Sequence, residues 1–148
     1  MKIRTAVLIS TLALPVSLFA AHPAKPGKWE VTTEIDMPGM PAKPAPMTRT
    51  VCITQDDLEK NPETTIPKPM NRRTGEERSD CKISDYKVDD KTVTWNLTCQ
   101  GERNTVTGSG KITYGTDSYD GSMQMKVGDR EMKVTYKGKW ISSECDKK

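Results

Sequence analysis

Alternating polarity, turn punctuation and cysteine usage together predict an all-β, antiparallel meander of about eight strands. The sheet is expected to be strongly curved or closed into a small barrel, with one short helix and an N-terminal signal peptide. From residue 70 to 148 the chain has no proline, and apolar and polar residues alternate through four successive segments punctuated by glycine. One dry and one wet face is the pattern of antiparallel rather than parallel sheets. The 148-residue length, with 34% hydrophobic and 29% charged residues, suits a single domain.

Residues 1–20 read as a cleaved export signal. Lys2 and Arg4 form the basic start, Ala6 to Leu14 the apolar stretch, and Pro15 breaks the helix before a small-residue exit at Ala20. The apolar run over residues 6–21 is shorter than the roughly 20 residues a spanning helix requires, so no membrane span is expected once the signal is removed. Removal leaves 21 basic against 20 acidic residues. That balance gives no footprint for nucleic acid. The expected location is periplasmic or secreted, and residues 21–148 are expected to form one disulfide-stapled β domain.

Nine of the ten prolines lie between Pro23 and Pro69. Within that half, Lys28 to Asp36 alternates as a strand with Trp29, Val31, Thr33 and Ile35 on one face. Residues 37–46 form a proline-rich surface loop, and Met47 to Ile53 resume strand character. Thr54 caps a short helix, with Asp57 three residues later as a capping-box partner. Residues 61–80, polar and proline-containing, are expected to form a second surface loop.

The remaining chain supplies a meander whose register can be derived. A two-residue turn at Asp90-Lys91 pairs Val88 with Val93, and one bulge near Ser84-Asp85 then brings Ile83 opposite Leu97 and Cys81 opposite Cys99. That separation suits a disulfide, because oxidising compartments favour bridges and no CxxC or CxH spacing supports a metal or redox site. Cys52 is left to pair with Cys145. The next turns set Gly110 against Met123, Gly108 against Met125 and Gly121 against Ile112. A two-residue turn at Gly128-Asp129 then sets Gly121 against Tyr136 and Gly138 against Tyr119; a four-residue loop there would instead oppose Gly121 to Gly138.

Inward glycines admit two readings. Either the sheet coils tightly and aromatic rings cover the bare backbone, or the missing side chains leave a cavity for an apolar ligand. Such a cavity would be lined by Trp95, Tyr119, Met123, Met125, Tyr136 and Trp140. Catalytic chemistry finds no support: His22 is the only histidine and adjoins the cleavage site, and neither GxGxxG nor GxxxxGK[ST] occurs. No catalytic residue, metal ligand or cofactor is therefore assigned. Non-enzymatic binding of a small apolar ligand or lipid is the expected function. The first alternative is a protein-interaction or inhibitor module of the envelope, presenting Met37-Pro38-Gly39-Met40. The second is copper held by thioethers drawn from Met37, Met40, Met47, Met123, Met125 and Met132, with His22 as a nitrogen donor.

A set of short motifs runs through the mature chain: Pro26-Gly27-Lys28-Trp29-Glu30, Met37-Pro38-Gly39-Met40-Pro41, Tyr86-Lys87-Val88, Val93-Thr94-Trp95, Gly108-Ser109-Gly110, Ser118-Tyr119-Asp120-Gly121 and Tyr136-Lys137-Gly138. With Cys52, Cys81, Cys99 and Cys145, their order resembles domain-of-unknown-function family 3617, a group of exported bacterial proteins. Lys28 departs from that pattern by standing where an apolar residue is expected. The resemblance implies a periplasmic location and no particular activity, so no functional residue is carried over from it.

Intact-mass measurement checks the processing and the bridges together. The mature protein should match residues 21–148, and reduction should add the hydrogens regained by four thiols. A full-length mass, or no gain on reduction, contradicts this reading.

Overall fold

Hairpin turns and register establish the architecture in the computed structural model, which describes residues 21–70, 74, 76–101 and 104–145. The segment read as a signal peptide, residues 1–20, lies outside the described residues. The strands are β1 (Gly27–Asp36), β2 (Met47–Ile53), β3 (Cys81–Asp89), β4 (Thr92–Gln100), β5 (Thr105–Tyr114), β6 (Ser118–Val127) and β7 (Arg130–Ser142). Helix α1 (Gln55–Lys60) and a 3-10 turn (Pro62–Thr65) separate β2 from β3. All strand neighbours are antiparallel, in the order β2-β1-β7-β6-β5-β4-β3.

The derived registers hold. Cys81 pairs with Cys99 and Ile83 with Leu97, and the ladder shifts between Ser84 and Lys87, where Asp85 adopts φ 51°. Gly128 adopts φ 60° in the two-residue turn before β7, so Gly121 faces Tyr136 and Gly138 faces Tyr119. Positive φ is what a tight hairpin turn with the native strand twist requires there. Thr54 and Asp57 complete the capping box: Asp57 donates its backbone N–H to Thr54 Oγ1 at 3.1 Å, and Thr54 donates its own to Asp57 Oδ2 at 2.9 Å.

The sheet has seven strands, close to the eight or so expected, and of the two expected forms it takes the curved open sheet, because β2 and β3 are its two edges and do not pair among the described residues. It curls hard. Trp29 on β1 and Tyr114 on β5 have ring centroids 6.3 Å apart although three strand spacings separate them. In a flat sheet that offset is about 14 Å. Trp29 also lies 5.4 Å from Tyr119 of β6.

β2 and β3 lie at opposite edges of the sheet, and the described part of the connection between them passes over the apolar face. It is therefore more than the surface loop expected for 61–80. Leu58 and Ile66 are buried, Ile66 at 2% exposure, and both join the core with Trp29, Val31, Trp95, Leu97, Ile112 and Met123. Arg49 of β2 reaches Glu77 at 2.9 Å and Met70 Sδ at 3.3 Å. Disulfides secure both ends: Cys52 bonds Cys145 beyond β7, and Cys81 bonds Cys99 on β4. Residues 37–46, by contrast, are almost wholly exposed.

The crossing segment is thus a wall of the core. Replacing Ile66 by Ala should destabilise the protein by about 2–5 kcal/mol, as for a strand core residue. Denaturant unfolding of Ile66→Ala beside Ile112→Ala checks this, and a loss below about 0.5 kcal/mol at Ile66, the scale of a surface site, contradicts it.

Candidate functional site

The apolar face is filled. Trp95, Tyr119, Met123, Met125 and Tyr136 are buried core residues, and their packing occupies the space that glycines leave open. A methyl group at Gly110 would overlap the Trp95 ring, and one at Gly138 would overlap Tyr119. A Cβ at Gly121 would come within 2.6 Å of Ile112 Cγ1. Large side chains thus lie over glycine backbone, the arrangement that lets a sheet coil without a void. Burial raises the phenol pKa of Tyr114, Tyr119 and Tyr136 above the usual tyrosine range, and pushes Tyr86 up to about 12.

Trp140, the sixth residue expected to line a cavity, stands at the rim. It donates from Nε1 to the Pro26 carbonyl at 3.0 Å, beneath the Lys25 ammonium 3.7 Å from its ring centroid. Trp29 donates similarly to the Lys25 carbonyl at 2.8 Å, so two indoles pin the segment before β1. Its Ala24 is buried, and His22 packs against Tyr86 and Tyr114. Burial lowers the His22 pKa and favours the neutral imidazole. Beneath the crossing segment remains a void of about 30 Å³ between Val31, Val51, Ile53, Ile66 and Tyr119. That is room for about one water molecule, not for a lipid.

Larger space lies on the opposite, polar face. A groove of about 710 Å³ runs across it, within the size range of small-ligand sites. Its floor follows from the registers. Asp36, Lys133, Gln124, Ser109, Asn96 and Ser84 are successive cross-strand partners on β1, β7, β6, β5, β4 and β3. A second row, Glu131, Lys126, Thr107 and Thr98, lies two residues along the same strands. All ten line the groove. Its two lysines are matched by two carboxylates in register, Lys133 opposite Asp36 and Lys126 opposite Glu131. Asn96 donates from Nδ2 to Asp85 Oδ2 at 2.8 Å, so the β3 bulge holds that amide in place.

Of the six residues expected to line an apolar cavity, only Met125 touches this groove. The groove residues lie on the wet face of the predicted alternation, and the register that sets Gly110 against Met123 and Gly108 against Met125 also aligns Ser109 with Gln124. Met125 and Met132 are cross-strand partners and Met123 is buried on the same apolar face, while Met40 in the β1–β2 loop and Met47 at the start of β2 are exposed. Among the described residues, no three or more His, Cys, Asp or Glu side chains converge as a metal site.

Fold and site together define a disulfide-bonded, open antiparallel sheet with a solid apolar core and a polar groove on its outer face. The chain belongs to the family described as "Protein of unknown function (DUF3617)", whose model matches residues 24–145. No curated protein and no solved structure matches it.

Packing over the glycines can be tested directly. Gly138→Ala should cost about 1–3 kcal/mol, because the Tyr119 ring occupies the methyl's place. A neutral or stabilising effect in thermal unfolding would mean that the inner face has spare room after all.

Proposed function

We propose that this is an exported, non-enzymatic binding protein of the cell envelope whose ligand-facing surface is the polar groove. The observation that carries this reading is the contrast between the two faces: a groove of about 710 Å³, lined by polar side chains together with Pro38, Leu97, Met125 and Met132, on one, and a void of about 30 Å³ on the other. Export is supported by the signal-like first 20 residues and by two disulfides. A non-enzymatic role is favoured because the groove's two carboxylates each stand in register with a lysine among hydroxyl and amide groups, while the sole histidine packs on aromatic rings of the apolar face. A carrier for an apolar ligand or lipid would have to expel Trp95 and Tyr119 from the glycines they cover.

Amide chemical-shift mapping separates the two binding modes. Polar small molecules should perturb residues around Asn96, Ser109 and Gln124, whereas palmitate should leave the spectrum unchanged. Perturbation of Tyr119, Met123 and Tyr136 by palmitate would overturn the assignment to the polar face and restore the interior carrier.

A further inference from the structure

We propose that the groove takes a linear, uncharged oligosaccharide lying across the strands; this rests on the groove being the binding surface and names its ligand class. Shape comes first. The longer row takes one residue from each of six adjacent strands, a span of about 24 Å at ordinary strand spacing, while the two rows lie about 7 Å apart along the strands. A long, narrow floor fits a chain better than a compact molecule.

Chemistry narrows the chain. The floor lies within the sheet face, where backbone N–H and C=O groups are committed to the ladders, so recognition falls to side chains. Ser84, Ser109, Thr98 and Thr107 each both donate and accept through one hydroxyl, and Asn96 and Gln124 do so through amides. The ligand complementary to such a floor carries many groups that also do both, which is the character of sugar hydroxyls. An extended peptide is a poorer match, because it gains affinity by pairing with the free backbone of a sheet edge. A polyanion is disfavoured because each groove lysine stands in register with a carboxylate, Lys133 with Asp36 and Lys126 with Glu131. Asn96, steadied by Asp85, keeps its amide oxygen available to a ligand hydroxyl.

The test titrates the oxidised mature protein with N-acetylglucosamine, its tetramer and maltotetraose, reading groove amides by NMR and affinity by calorimetry. A tetramer should bind at least about tenfold more tightly than the monomer, and Ser109→Trp, which fills the groove from the exposed face, should weaken it by about tenfold or more. Ser109→Ala with Gln124→Ala is the milder pair, expected to weaken binding while leaving the far-UV spectrum unchanged. Tetramer affinity no better than monomer, or groove amides that respond to a Gly-Ser tetrapeptide and to neither tetrasaccharide at millimolar concentration, overturns the ligand class while leaving the groove as the binding surface. Groove amides silent to every probe overturn both.

Discussion

The structure depends on one topological constraint: β2 and β3 follow each other in the chain yet form opposite edges of the sheet. The described part of the connection between them passes over the apolar face and contributes apolar side chains of its own. Leu58 and Ile66 are those side chains, and Arg49 with Glu77 and Met70 fastens the segment's later part. The disulfides then acquire a clear role. Cys52 lies just before the crossing and Cys81 closes it, so both ends are covalently tied to the sheet. The loops these bridges close, with sequence separations of 18 and 93, restrict the unfolded chain and so stabilise the folded one, by about 3 kcal/mol for the shorter and more for the longer in the chain-entropy model.

Curvature divides the labour between the two faces. Glycines at 110, 121 and 138 let Trp95, Ile112 and Tyr119 settle against bare backbone, so the sheet coils around a filled core. A groove lies across the polar side chains of the other face. The filled core and the groove thus sit on opposite faces of one coiled sheet.

Much of this was legible in the sequence, for identifiable reasons. Strict alternation, two-residue turns and the Cys81–Cys99 pairing specify the β3–β4 register down to its bulge, because a slip by one residue would expose Val93, Trp95 and Leu97. The capping box at Thr54 and Asp57 is equally local. What was not legible is long-range. Edge identity decides between a barrel and an open sheet, and no residue in β2 or β3 announces that the two do not meet. Ile66 sits in a polar stretch, so its burial follows from the crossing and not from its neighbours. The groove was half-visible: its cross-strand rows follow from the registers, but the saddle that makes them a trough arises from cumulative twist, which no single pair reveals.

Native-state hydrogen exchange is the most direct measurement of whether the crossing segment belongs to the cooperative core. The amides of Asn61, Ile66 and Arg78 donate to Asp57, Glu63 and Pro69 respectively. If the segment is a wall, they exchange only through the opening that also releases the β5 and β6 amides, with a similar free energy. Exchange at rates near those of an unstructured peptide, while the sheet stays protected, would contradict the account.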